Sequence, residues 1–186
     1  MAPKVKITRQ DVLDAGLALV RKAGEGALNA RDLAAALDCS TQPIFTHFAS
    51  MDQLRLALVT EAERLCHSYV EQEIAAEKYP PYKASGMAYI RFARQERNLF
   101  QLLYMRDRTG EQESPGQFLW GVGVDLAGQV MDREPAQLAR FHMEMWAVVH
   151  GFATMAATGF LALEEDAVST MITDVFQGLK KQHTEE

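Results

Sequence analysis

Thr41, Gln42, Thr46 and His47 fall within one short run, CSTQPIFTHF, residues 39–48. The amide of Gln42 offers a donor and an acceptor side by side and can pair bidentately with the edge of an adenine. A threonine can use its hydroxyl or its methyl. Free N–H groups at a helix start can face a phosphate. The chemistry on offer is recognition of a polar surface. Groupings that break bonds are not evident. There is no Ser/His/Asp set, glycine-rich phosphate loop or paired-carboxylate motif. His142 and His150 flank Glu144 at a spacing that places both histidines roughly on one helix face, a weak metal signal. The expectation is a protein that is not an enzyme and needs no cofactor or metal.

Helices must position these groups, because nothing reads convincingly as a strand. Thr8 and Asp11 form a cap, followed by Val12, Ala15, Gly16, Leu19, Val20 and Ala23 at helical spacing until Gly24 and Gly26. Asn29 is an N-cap candidate with Asp32 three residues on, and Leu33, Ala34 and Leu37 give that helix an apolar face. Ser40 can cap the next helix, with Pro43 in its first turn, where a missing N–H costs little. Ile44, Phe45 and Phe48 are its apolar residues. Ser50 and Gln53 form a further capping box that opens a long helix over about 51–76. YPPY, residues 79–82, is a break. Helices are expected near 83–95, 98–105, 116–132, 135–158 and 164–180, with a loop at 106–116 and a frayed end KKQHTEE.

Residues 29–48 therefore make two short helices joined by the tight turn DCST, the spacing of a helix-turn-helix. In that motif the second helix lies in the major groove. An αα-corner with solvated polar side chains has the same pattern, and these twenty residues alone leave both readings open.

The chain has 186 residues and is 48% hydrophobic, enough for a sizeable core. Its net charge of −6 argues against a protein coated in basic charge but not against a local nucleic-acid face. Residues 1–50 carry a net +1 and the remaining 136 carry −7. The two cysteines suggest neither a metal site nor a disulfide framework. The N-terminus MAPKVKITRQ lacks an apolar signal core, so the expected location is cytoplasmic. Residues 145–163 carry no formal charge, but they contain His150 and two glycines and run into Glu164, Glu165 and Asp166. A helix buried on most sides explains them better than a membrane span.

The stretch ITRQDVLDAGLALVRKAGEGALNARDLAAALDCSTQPIFTHFASMDQL resembles the N-terminal domain of the TetR (tetracycline-repressor) family. The resemblance rests on the T-R-x-x-V-L-x-A opening, the G-x-x-A-L turn, R-D-L-A-A-x-L and the I-F-x-H-F ending, at the family's spacing. WAVVHGFATMAATG, residues 146–159, looks like the Trp…His-Gly helix of one of its ligand-domain subclasses. The resemblance implies an all-α fold: a helix-turn-helix DNA-binding domain at 1–50, then a larger effector-binding and dimerisation domain at 51–186. It implies a ligand-responsive regulator, more specifically a repressor, partnered by double-stranded operator DNA, a second copy of itself and a small effector, which the methionines and aromatics of the middle helices suit if it is apolar or aromatic.

Carried onto this chain, the DNA contacts fall on Lys6, Arg9, Arg31, Ser40, Thr41, Gln42, Pro43, Phe45, Thr46 and His47. Three positions depart from the family pattern. Asp38 replaces a turn glycine, Phe45 replaces a tyrosine whose hydroxyl can bond phosphate, and Met51 replaces a lysine. Lost phosphate contacts weaken binding and flatten its salt dependence. Lys4, Lys6 and Arg9 on an N-terminal arm, with Arg31, are the expected compensation, and for Lys4 and Lys6 a solvated arm with no fixed contact reads equally well. A helical ligand-binding protein with weak or lost DNA binding is the alternative.

In the acidic remainder, Gly151, Ala153, Ala156, Ala157 and Gly159 permit close helix approach, and Val168, Met171, Ile172, Val175, Phe176 and Leu179 form an apolar stripe. These two helices are the expected dimerisation pair. Phe92, Phe100, Leu103, Tyr104, Trp120, Met145, Trp146 and His150 are the candidate effector contacts. Large apolar residues are also plain core, and His150 reads equally as a hydrogen-bonded core histidine.

Overall fold

The computed structural model describes residues 6–106 and 117–185, and these contain helices and no strand. The predicted loop at 106–116 lies, after Arg106, outside the described residues, as does Lys4. The helices are α1 Arg9–Ala23, α2 Ala30–Ala36, α3 Gln42–His47, α4 Met51–Ala75, α5 Pro81–Gln95, α6 Arg97–Tyr104, α7 Gln117–Gly128, α8 Pro135–Thr158 and α9 Glu165–Glu185. A 3₁₀ turn, Glu25–Ala27, follows α1. Among the described residues no helix is long and apolar enough to cross a membrane. The uncharged run from Met145 is broken at Gly159, whose left-handed φ of 69° ends α8.

The chain forms two compact units, one of residues 1–64 with 98–107 and the other of 65–97 with 108–186. The sequence places a boundary at residue 50, where α4 begins. The two compact units meet along the chain within α4, and α6 belongs with the first unit.

The first unit is set by its caps and by one apolar layer. Thr8 and Asp11 bond reciprocally, the Asp11 N–H donating to Thr8 Oγ1 at 3.1 Å and the Thr8 N–H to Asp11 Oδ2 at 2.8 Å. Asn29 accepts from the N–H groups of Arg31 and Asp32. Each such cap is worth about 1 kcal/mol. Ser50 Oγ accepts from the Gln53 N–H, while the Gln53 side chain accepts from Ala49 rather than from Ser50. Ser40 does not cap α3. Thr41 is the N-cap residue, in right-handed helical geometry, and its side chain makes no capping bond. Val12, Leu13 and Val20 of α1, Leu33 of α2, Ile44 of α3, Phe48, Leu54 and Leu58 of α4, and Leu99, Phe100, Leu102 and Leu103 of α6 supply the buried layer.

The second unit is built on α5, which packs along α8, with α7 and α9 against α8 as well. Ala84, Ala88, Ala93, Ala153 and Ala157 are buried and keep the helices close. The predicted fraying of KKQHTEE does not occur through Glu185. His183 is 4% exposed and its Nε2 lies 2.8 Å from Glu144 Oε2. Arg133 donates to the carbonyls of His183 and Thr184. A fork of N–H groups thus satisfies carbonyls that a helix end leaves unpaired.

Candidate nucleic-acid interface and ligand cluster

Ile44 and Phe48 are buried and pin α3 to the first unit. A helix so anchored must turn its other side outward. Ser40, Thr41, Gln42, Phe45 and Thr46 are exposed, and Pro43 and His47 are half-buried. Thr46 Oγ1 donates to the Gln42 carbonyl at 2.9 Å, which engages its hydroxyl proton within the helix. Lys6 and Arg31 are exposed.

Two of the expected contacts are engaged within the unit. His47 Nε2 lies 2.9 Å from the Ile7 carbonyl. A carbonyl only accepts, so Nε2 carries the proton there. The Arg9 guanidinium lies 4.9 Å from the centre of the Phe48 ring. Residues 47 and 48 therefore hold the chain on both sides of the Thr8 cap. Asp38, in the turn between α2 and α3, has φ +48°, the left-handed region where the family pattern has glycine.

The candidate effector contacts separate. Phe100, Leu103 and Tyr104 lie on α6 in the first unit. Phe100 and Leu103 are fully buried, and the Phe100 ring meets Tyr104 at 5.0 Å. Phe92 is a fully buried residue of the second unit, edge-on to Tyr69 at 5.4 Å. Trp120, Trp146 and His150 do come together. Trp146 stacks on His150 with centroids 4.6 Å apart and planes 18° apart, and Trp120 meets Trp146 at 6.5 Å. Met145 is buried on the same helix.

Tyr82 joins this cluster without having been singled out by sequence reasoning; Tyr89 counts there only among the large groups of the middle helices, and His142 only as half of a weak metal signal. Tyr82 Oη lies 3.0 Å from His142 Nδ1, and Tyr89 Oη 2.9 Å from His150 Nδ1. Trp120 stands edge-on to His142 at 4.8 Å. The seven-residue interval between the tyrosines and the eight-residue interval between the histidines are the signals that could have paired them. Among the described residues no group of three or more His, Cys, Asp or Glu could hold a metal ion.

Burial pushes the His142 pKa down to about 4, lowers that of His150, and raises that of the Tyr82 phenol. Both partners of the Tyr82–His142 pair are therefore neutral at pH 7. The phenol donates to Nδ1, the acceptor it has in reach, and the ring proton then sits on Nε2. Nε2 is buried and lacks a hydrogen-bond partner among the described residues. It faces the backbone of α7 at Gly123, where a methyl group would overlap the ring. The cluster is flat, aromatic and neutral, with one unsatisfied donor.

Residues 82–176 match the family model described as tetracyclin repressor-like, C-terminal domain. That span is just over half of the chain and includes all six members of the cluster. The chain belongs to the TetR family. Solved structures share its all-α fold. A protein of unknown function from Rhodococcus sp. RHA1 is 25% identical, covers 97% of this chain and all of its own, and superposes with a TM-score of 0.79. A TetR family member from Streptomyces coelicolor A3 is 20% identical over 89% of this chain and 96% of its own, with a TM-score of 0.64. A TetR-like transcriptional regulator from Rhodococcus sp. RHA1 is 15% identical over 88% and 90%, also at 0.64. No curated protein sequence matches the chain. As a TetR-family protein, the chain carries its Trp…His-Gly helix as α8, with Trp146 and His150 stacked one turn apart.

Proposed function

We propose that this TetR-family chain is a homodimeric transcriptional repressor that reads operator DNA through α3 and is released by a small, uncharged, aromatic or apolar effector. It acts by binding rather than by catalysis, in the cytoplasm where its operator lies. The observation that carries the reading is the division of α3. Two apolar residues fix the helix, and an exposed face holds Thr41, Gln42 and Thr46. Residues 1–50 then serve DNA, with Lys6 and Arg31 toward phosphate, and residues 51–186 serve the effector and the second copy.

The effector class follows from the cluster of α5, α7 and α8. Neutral histidines held by tyrosines offer no counter-ion, so burying a charged ligand there would cost several kcal/mol. Trp120 and Trp146 favour a flat ring, and the His142 Nε2–H favours a ligand that brings an acceptor. Residues of α4 belong to both units, so a shift of that helix is the natural coupling between effector and operator.

Selection of duplexes from a random library with the full-length protein tests the reading. A two-fold related pair of half-sites should emerge, about one helical turn or a multiple apart. A library that never enriches would favour the alternative, a helical ligand-binding protein with weak or lost DNA binding, to which Asp38, Phe45 and Met51 point.

A further inference from the structure

Phe45 is 45% exposed, while the other two large apolar residues of the α3 segment, Ile44 and Phe48, are buried. It is therefore not an anchor. At 3.6 residues per turn it stands beside the outward face of Gln42 and Thr46. Its ring has no polar group with which to meet a phosphate.

The charge pattern narrows what such a face can read. No lysine or arginine lies between Arg31 and Arg55. Arg55 is itself occupied, 2.6 Å from both Glu25 and Asp52. The side chains that most often pair with guanine are thus missing from α3. What remains is an amide, hydroxyls, a threonine methyl and an aromatic ring. In the major groove only thymine presents a methyl, and an apolar side chain is its complement. Adenine presents the donor and acceptor that a glutamine amide matches.

We infer that Phe45 is a specificity residue that packs on a thymine methyl in each half-site, next to the base read by Gln42. The inference rests on the proposed DNA-binding reading and narrows it to an A·T-containing core recognised without cationic base contacts.

Deoxyuridine differs from thymidine only by the missing methyl, which makes the test specific. Each thymine of the selected operator half-sites is replaced by uracil in turn, and fluorescence anisotropy gives the affinities of the full-length wild type, Phe45→Ala and Phe45→Tyr at one fixed salt concentration. One position per half-site should lower wild-type affinity about four-fold, the worth of one buried methyl-sized group. Phe45→Tyr keeps the ring and should keep this sensitivity. Phe45→Ala, shown to be folded by its thermal transition, should bind thymine and uracil duplexes alike. Uracil tolerated everywhere by the wild type would overturn the inference, as would a uracil effect that persists in Phe45→Ala. A uniform loss of affinity in Phe45→Ala with an unchanged thymine-to-uracil ratio would place the ring on the sugar–phosphate backbone and also overturn it. A library that yields no operator contradicts the DNA-binding reading itself and removes this inference with it.

Discussion

At the scale of single residues, Asp38 and His142 carry the sharpest consequences. Left-handed geometry costs an ordinary residue about 1–2 kcal/mol. Asp38 adopts it at φ +48°. Glycine removes that cost but gains freedom in the unfolded chain, which takes back about 0.5–1 kcal/mol. Asp38→Gly should raise stability by about 0.5 kcal/mol in denaturant unfolding, and a lower midpoint would contradict the geometry. His142 sets a pH dependence. Its pKa falls from the ordinary 6.5 to about 4 in the folded chain through burial, so the unfolded chain binds more protons between these values. Stability should be fully present above pH 6.5 and decline as pH falls toward 4. His150 contributes in the same direction, and Glu144, held low by His183, adds its loss at more acidic pH. His142→Phe should flatten the melting temperature against pH in that window, whatever it does to the value at pH 7. Equal slopes in variant and wild type would remove His142 from the account.

The elements show what the sequence makes legible and what it does not. The caps at Thr8, Asn29 and Ser50 involve partners three residues away, so local spacing is enough to find them. The breaks and the anchors Ile44 and Phe48 follow from similar short-range logic. Long-range partners do not. The tail of α9 reads as frayed because Arg133 and Glu144, which hold it, are some forty to fifty residues distant. Phe100 and Tyr104 share a composition with Trp120 and Trp146, and only the packing separates them into two units. The Tyr82–His142 pair spans sixty residues, and only the matched intervals of the two tyrosines and the two histidines hint at it. Gly123 and Gly121 give a paired test of that packing. Alanine at 123 meets the His142 ring, whereas nothing lies within 4 Å of a methyl at 121. Gly123→Ala should cost about 1–3 kcal/mol. Gly121→Ala should gain up to about 1 kcal/mol from helix propensity. Similar shifts in both variants would mean that α7 does not seat on His142.

For the whole molecule, the proposal needs two copies and one operator. Met143 is 51% exposed on α8, and Phe160 is 81% exposed just beyond its end. Half-buried Met171, Val175 and Leu179 add partly exposed apolar groups on α9. A second copy would cover such surface, as an obligate interface requires. Met143→Lys places a charge where a single chain leaves room for it, so the folded monomer should tolerate it and the dimer should not. Sedimentation should report a wild-type dimer at micromolar concentration and a folded monomer for the variant. A wild-type monomer would contradict the assembly. The central claim, that α3 reads bases, is tested most directly by the affinities of the wild type and Gln42→Ala for the selected operator and for random duplex. Loss of a bidentate base contact should cost about 1–3 kcal/mol on the operator and leave random-sequence binding unchanged. Equal losses on both duplexes, or none on either, would contradict the account.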